Sequence, residues 1–271
     1  NDKANHVGNS VMSMTLYANG EEQIGDIRYS RLPGRDYTNS VMAHNLVAVD
    51  EELTQYFTSA RQVLGNSGHV FTNGYFTLFE PGIDGVAATE VYSKTIRPGK
   101  VERYQRIHVL NTIDPSRPYL LDLFVVKGGT KHDYLLHGST QYDQTTETSL
   151  SMTKINSQYP LLPTGVTYKD PVVEGDKTNW YGAFREMSKA QSPGEWSVTY
   201  VQDASRGVKI FAVDDARSTV YLGKSPNSYR RATGTTMYEY WRPVLVERRT
   251  GNSGMRSLFT HVMEAYNGGS K

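Results

Sequence analysis

Histidine and arginine side chains are the residues of this sequence best suited to chemistry. His6 lies near the start of the chain, and an unperturbed imidazole has a pKa of about 6.5, which suits proton transfer or charge stabilisation at neutral pH. The alternative is a surface histidine near a chain end. Arg106 could hold a carboxylate through two parallel hydrogen bonds, or it could lie on a solvated strand face. His6 and Arg106 are therefore candidates for a functional site, and each could instead be an ordinary surface residue.

Two further groups of basic residues also have two interpretations. The position numbers of His132 and His137 differ in parity, so a continuous strand would place them on opposite faces. They could contact a sugar, but a hydrogen-bonded histidine of the core is the commoner use of such positions. Arg28, Arg31 and Arg35 fall in one loop that would attract a polyanion, although loops often carry such charges.

The composition excludes several functional classes. The net charge of +1 over 271 residues is too balanced for nucleic-acid binding, and no apolar run approaches the roughly 20 residues of a membrane span. Cysteine is absent, which removes disulfides, a thiol nucleophile and a thiolate metal site. The sequence contains no Gly-rich phosphate loop, Gly-x-Ser-x-Gly motif or His-Glu-x-x-His motif. Its 19 Tyr and 3 Trp suit sugar binding, but β-sheets favour aromatic residues in any case.

The elements that must position these residues are β-strands, because short apolar segments alternate with polar residues between frequent turn signals. The candidate strands are 11–17, 46–49, 75–79, 101–110, 119–126, 134–137, 197–201, 208–213, 220–222, 244–247 and 257–263. Segments 119–126 and 134–137 are expected to pair across 127–133. The helix signal is weak and confined to residues 51–64. This pattern predicts an all-β fold, a large antiparallel multi-stranded β-sandwich of the supersandwich type.

We expect residues 1–266 to form a single large sandwich domain. A first sheet region is predicted over about 1–140, a polar loop crossover over about 141–180 and a second sheet region over about 181–266. Residues 267–271 lack strand character and predict a linker tail. The chain opens on polar residues without a signal peptide or an initiator Met, so we interpret it as a processed product or an excised fragment.

Four segments resemble, in this order, the C-terminal β-domain of heparinase II/III-type polysaccharide lyases. They are residues 5–20, 25–29, 43–50 and 104–138, with weaker similarity at 195–198 and 257–259. The first is similar to the family's His-x-His-x-Asp element and the second to its Asp-x-Gly-Tyr. The third, Ala-His-Asn-Leu-Val-Ala-Val-Asp, is similar to the family's His-Asn-Thr-Val-x-Val-Asp. Shared order and spacing over nearly the whole chain make the resemblance specific.

The resemblance implies one part of a two-part enzyme. Family members have an α/α toroid before the β-sandwich, and substrate lies in the cleft between them. The reaction is β-elimination at a uronic acid. A base removes the proton on C5, a neutraliser offsets the negative charge beside the carboxylate, and an acid protonates the leaving O4. The toroid supplies the catalytic Tyr and an Asn or His, which therefore have no counterpart in this chain.

The resemblance also assigns roles within the chain. His6 aligns with the first His of the His-x-His element and is the catalytic candidate. The substrate-binding candidates are Arg106, Tyr29, Arg28 and His132. We expect the isolated chain to have little or no lyase activity, because half of the cleft is missing.

A divalent metal, zinc, is implied on Asp26 and His44. The third family ligand position is Gly8 here, and the family's Asp is Ser10, so the set is smaller than structural zinc sites use. His6 could complete the site, although its register is wrong by two residues. Without a metal, Asp26 and His44 would form an ion pair that holds the same strands together.

The function that follows is the sandwich domain of a lyase acting on a uronic-acid polysaccharide, periplasmic or secreted. Its expected partners are an acidic polysaccharide and the toroid of the same protein, not nucleic acid or membrane. One alternative is a non-catalytic carbohydrate-binding or interaction module derived from the family, which the departures at Gly8 and Ser10 favour. A second is a structural sandwich of a secreted assembly protein that binds no sugar.

Overall fold

A computed structural model describes residues 10–27, 35–53, 74–94, 96–169, 179–213, 217–228 and 237–268. These residues form an all-β fold with antiparallel sheets of eight, six and two strands, as the alternating sequence predicts. The described ranges contain no helix long and apolar enough to cross a membrane.

The eight-stranded sheet carries most of the long strands. Its order is β4-β5-β6-β7-β16-β13-β12-β9. The bounds are β4 Tyr75–Ile83, β5 Val86–Ser93, β6 Val101–Asn111, β7 Tyr119–Gly128, β9 Thr145–Thr148, β12 Glu195–Val201, β13 Arg206–Val213 and β16 Arg256–Asn267.

The six-stranded sheet has the order β10-β11-β14-β15-β8-β3. Its strands are β3 Val47–Val49, β8 Lys131–His137, β10 Thr153–Lys154, β11 Arg185–Gln191, β14 Thr219–Pro226 and β15 Trp241–Thr250. The two-stranded sheet pairs β1 Leu16–Ala18 with β2 Glu21–Ile24. Within the described ranges, helical structure is limited to α1 Arg35–Thr38 and two short 3-10 helices, Val41–Ala43 and Trp180–Ala183.

The core lies between the two large sheets, which therefore form the predicted sandwich. Tyr134 of β8 packs on Phe259 of β16 with ring centroids 5.5 Å apart. The Tyr200 hydroxyl of β12 donates to the Leu136 carbonyl of β8 at 2.7 Å. Alternate residues of strands such as β12 and β16 face this core, so period-two patterning in the sequence becomes one shared apolar layer.

Segments 119–126 and 134–137 do not pair with each other, so that expectation is wrong. β7 pairs with β6 and β16, whereas β8 pairs with β15 and β3. The chain crosses from one sheet to the other at Gly128 and Gly129, whose φ angles are 116° and 78°. A Cβ on Gly128 would lie 2.2 Å from the Lys100 carbonyl oxygen, so glycine is required there.

The division of the chain between sheets also differs from the prediction. Each large sheet takes strands from both halves of the chain, so 1–140 and 181–266 are not separate sheet regions. Residues 141–180, predicted as a loop crossover, contain two strands. The chain leaves the smaller sheet after β8, adds β9 to an edge of the larger sheet and returns to the smaller sheet with β10. Antiparallel sandwiches commonly interleave distant strands in this way.

Several predicted boundaries move. Of segment 11–17, only the end is a strand, because residues before Leu16 bind Asn45 instead of a neighbouring strand. β4 continues through Pro81 to Ile83 with a register shift, which an edge strand tolerates. Residues 51–53 are not helical, and 54–64 lie outside the described residues. Strand β16 continues to Asn267, into the predicted tail.

Candidate functional site

Asp26 and His44 lie together at the start of the segment that leads into β3. The His44 Nδ1 atom is 2.6 Å from the Asp26 Oδ1 atom, and the His44 Nε2 atom is 3.0 Å from the Thr38 carbonyl oxygen. Both ring nitrogens therefore face oxygen acceptors, which satisfies the two N–H groups of an imidazolium. His44 is buried and Asp26 is partly buried.

This arrangement does not fit a metal centre. Zinc needs a free nitrogen lone pair on each histidine ligand and usually four ligands, whereas His44 has both nitrogens bound to oxygens of the protein. Across the ranges with described structure, no group of three His, Cys, Asp or Glu residues could hold a metal. The geometry of Asp26 and His44 is that of an ion pair, which was the alternative to a zinc site.

Asn45, the residue after His44, joins three segments of the chain. Its Nδ2 atom donates to the carbonyl oxygens of Met14 and Gly25 at 2.8 and 3.0 Å, and its Oδ1 atom accepts from the His137 backbone N–H at 2.7 Å. Asn45 is fully buried, so losing any of these bonds would leave a polar group unsatisfied. The side chain thereby fixes the chain before β1 and after β2.

Arg242 of β15 strengthens the same attachment. Its guanidinium donates to the carbonyl oxygens of Gly25 at 3.0 Å and Ala43 at 2.7 Å. The side chain is buried, and burial lowers the pKa of Arg242. Such a cation is costly to desolvate, and it is retained here as a donor to backbone carbonyls.

Arg106 of β6 lies in the core, which corrects its assignment as a substrate-binding residue. Its Nε and Nη2 atoms donate to the two oxygens of Asp122 at 2.8 and 2.7 Å. Its Nη1 atom donates to the carbonyl oxygens of Met12 and Asn45 at 2.7 and 2.5 Å. With every guanidinium nitrogen bonded and the side chain 2% exposed, Arg106 cannot reach a polysaccharide.

Asp122 of β7 is the centre of this buried network. Burial alone would raise its pKa, but Arg106 and His108 outweigh burial and hold the pKa of Asp122 well below its usual range. The Tyr134 hydroxyl donates to Asp122 at 2.7 Å. Burial and the Asp122 charge both raise the pKa of Tyr134, so the hydroxyl stays protonated as a donor.

His108 is the exposed end of the same network, and the sequence reasoning missed it. Its Nε2 atom lies 3.2 Å from the Asp122 Oδ1 atom, and its side chain is 27% exposed. The available signal was the alternation of β6, which places Arg106 and His108 on one face. The sequence did not show that the Asp122 carboxylate lies behind these two side chains, because Asp122 belongs to another strand.

His132 is also a core residue, which corrects its assignment to substrate binding. Its Nδ1 atom is 2.8 Å from the Ser257 hydroxyl and its Nε2 atom is 2.6 Å from the Gly128 carbonyl oxygen. Burial lowers the pKa of His132, which favours the neutral ring. The neutral ring donates to the Gly128 carbonyl oxygen and accepts from the Ser257 hydroxyl. His132 is thus the hydrogen-bonded core histidine of the alternative interpretation.

The remaining sequence candidates, His6, Arg28 and Tyr29, lie outside the described residues, as do Gly8 and Arg31. The chain that leads to them is nevertheless held firmly. Arg106 and Asn45 bind the backbone at residues 12–14, and Asn45 and Arg242 bind it at Gly25. One buried network thus anchors both segments that carry the sequence candidates.

Among the described residues, the smaller sheet does not extend over the inner face of the larger sheet beyond β3, its edge strand. β4 is exposed at every position, and β5 is at least partly exposed at every position but one. We call this uncovered surface the shelf and define it by Phe76, Phe79, Thr89, His108 and Leu110. Phe79 is opposite Thr89, Thr89 is opposite His108, and His108 is opposite Asp122, so one row joins the shelf to the buried network.

The fold of this chain is similar to that of two solved structures. A crystal structure of a mutant of heparan sulfate lyase HepC from Pedobacter heparinus matches 98% of this chain with a TM-score of 0.54 at 10% sequence identity. A crystal structure of HepC itself matches 98% of this chain with a TM-score of 0.51, again at 10% identity. This similarity confirms, at the level of the fold, the β-sandwich that the resemblance implies.

The match covers only part of the HepC chain. This chain spans about a third of its length, 32% in both structures. No protein-family model matches the sequence, and no curated protein matches it.

Proposed function

We propose that this chain is the β-sandwich domain of a polysaccharide lyase that cleaves a uronic-acid polymer by β-elimination. The observation that carries the proposal is the HepC match, which extends over 98% of this chain and leaves the larger part of the relative unmatched. In the proposal an α/α toroid of the same protein forms the other wall of the cleft.

Within that cleft His6 assists proton transfer or stabilises the charge that forms beside the carboxylate, because a neutral-pH imidazole can do either. Arg28 and Tyr29 contact the substrate. The buried network supports this arrangement, since Arg106, Asn45 and Arg242 fix the backbone close to both segments. Fixed donors aid catalysis because they need no reorganisation during the reaction.

We further propose that Asp26 and His44 act as a structural pair, not as zinc ligands. The 2.6 Å contact and the second bond of His44 to the Thr38 carbonyl support this role. The pair joins the chain after β2 to the chain before β3. Periplasmic or secreted localisation, where acidic polysaccharides occur, remains part of the proposal.

The test is a lyase assay on two proteins, this chain alone and the chain with its upstream coding sequence restored. Both are mixed with a panel of uronic-acid polysaccharides, and the ultraviolet absorbance of the unsaturated product is followed. We expect cleavage by the longer protein only, and its loss in the longer His6→Ala variant. Robust product formation by this chain alone would refute the shared-cleft arrangement.

A second candidate function is a non-catalytic carbohydrate-binding module that kept the fold and lost the chemistry. Gly8 and Ser10 favour it, because they replace a metal ligand and a carboxylate of the family element. Binding of acidic sugars by the longer protein without any cleavage would select this function over the lyase.

A further inference from the structure

The shelf differs from ordinary protein surface in its aromatic content. Phe76 and Phe79 are 66% and 62% exposed, and their rings meet edge to face with centroids 5.8 Å apart. Both rings project from the inner face of β4. Their neighbours in sequence that point to the outer face therefore do not cover them. Exposed aromatic rings fixed against each other provide apolar contact area at little entropic cost.

The shelf has a polar end at His108. Arg106 and Asp122 form an ion pair behind this residue and cancel each other in charge. The His108 Nε2 atom lies 3.2 Å from the Asp122 Oδ1 atom, and the side chain is 27% exposed. Thr89 of β5 lies opposite His108 in the same row. The shelf therefore presents one partly exposed imidazole to a ligand.

Carboxylates of the neighbouring strands project from the other face. Glu90 and Glu102 line a cleft of about 400 Å³ on the outer face together with Arg103 and Lys127. Glu90 lies opposite Ile107, which alternates with Arg106 and His108 and so points away from the shelf. Among the described side chains of β4 to β6, an anion on the shelf meets the His108 imidazole and no unpaired carboxylate.

The spacing suits one sugar residue. Phe79 and His108 are two strands apart in one row, which corresponds to about 10 Å at a strand spacing of about 4.8 Å. A sugar ring can lie against the phenylalanine rings while its anionic substituent reaches the imidazole.

We propose that the shelf is a subsite for an acidic sugar residue of the polysaccharide, with Phe76 and Phe79 against the sugar ring and His108 on its anionic substituent. The proposal rests on the proposed function for its ligand class but needs no cleavage chemistry. His108 is a binding residue here. Asp122 is a positioning residue that orients the imidazole from behind.

The test is calorimetric titration of this chain with an acidic oligosaccharide that contains sulfated uronic acid. His108→Gln should weaken binding by about tenfold, as expected for a lost hydrogen bond to a charged group. Phe79→Ala should also weaken binding.

The matched control is Phe211→Ala, which removes a partly exposed phenylalanine from the outer face of the same sheet and should leave binding unchanged. A neutral oligosaccharide of the same length should bind more weakly. Thermal melting confirms that each variant folds.

Three results would overturn the proposal. They are no binding, equal affinity in His108→Gln, and self-association of the chain that Phe76→Ala abolishes while sugar binding stays intact. The last would assign the shelf to a second copy of the chain. Failure of the shelf proposal can be distinguished from failure of the proposed function. The longer protein can still cleave the polysaccharide when the shelf binds no sugar, and the shelf can bind sugar in a protein that never cleaves it.

Discussion

The covered and uncovered halves of the eight-stranded sheet follow the same alternation with opposite results. In β7 and β16 the inner side chains, such as Phe124 and Phe259, are fully buried against the smaller sheet. In β4 the inner side chains Phe76 and Phe79 are mostly exposed. The difference is the width of the covering sheet, which ends at β3, and not the character of the strands themselves.

The boundary between the halves explains why the polar network sits where it does. Asp122 is fully buried on the covered side, and His108, one strand along the same row, is partly exposed. A carboxylate in the core needs a full set of donors, whereas an imidazole at the margin keeps part of its surface in solvent. The margin is thus the place on this sheet where buried charge and solvent access meet.

The largest effect should come from Asp122→Ala at the boundary. The substitution leaves the Arg106 cation buried without its carboxylate and removes the acceptor of Tyr134. We expect the free energy of unfolding to fall by about 3–5 kcal/mol. Urea denaturation measures it, and a loss below about 1 kcal/mol would show that Asp122 is not the centre of the network.

Two phenylalanines test the covered and uncovered halves directly. Phe259→Ala should lower the free energy of unfolding by about 3–4 kcal/mol, because it opens a cavity in the core. Phe79→Ala should change it by less than about 0.5 kcal/mol, because the ring is already in solvent. Equal losses in chemical denaturation would mean that the shelf is covered in the folded protein.

The Asp26–His44 pair lies outside both halves and should have an intermediate effect. Asp26→Asn removes the charge but keeps the shape, so we expect a loss of about 1–2 kcal/mol for a partly buried charge-assisted hydrogen bond. A chelator should leave the melting temperature of the unmodified protein unchanged. A clear drop with chelator, reversed by zinc, would restore the metal interpretation.

Another small effect concerns the edge of the covering sheet. Burial raises the pKa of Asp50, but the Lys100 ammonium and hydrogen bonds from Thr130 and Lys131 outweigh burial and lower that pKa to about 2. Because the folded pKa lies below the usual 3.8, the stabilisation is complete above about pH 4 and is lost as the pH falls towards 2.

Asp50→Asn should therefore cost about 1 kcal/mol or less at neutral pH, since the site is partly solvated. It should also reduce the loss of stability between pH 4 and pH 2. The measurement is the urea midpoint of both proteins across that range. An unchanged acid slope in the variant would exclude Asp50 as a source of it.

The sequence was sufficient for the strands but not for their partners. Alternation predicted β6, β7, β12 and β13 closely. It could not show that Gly128 and Gly129 move the chain to the other sheet, since two adjacent apolar segments joined by glycines also describe a hairpin.

The same limit applies to the candidate site. A resemblance brought Asp26 and His44 together correctly, because their motifs recur in order along the chain. It could not show that Arg106 faces Asp122, because that contact joins two different strands of one sheet. Nor could it show that His132 faces Ser257, because that contact joins strands of different sheets. His108 escaped notice for the same reason, since its interest lies in the carboxylate behind it.

The most direct test of the account is to map where an acidic oligosaccharide contacts the isolated chain. Amide chemical shifts are followed by nuclear magnetic resonance during titration with a sulfated uronic-acid oligosaccharide. The account predicts that the perturbed amides lie in β4, β5 and the His108 end of β6, while those of β12 and β13 stay unchanged. Perturbations confined to the covered half or to the outer face, or none at all, would contradict it.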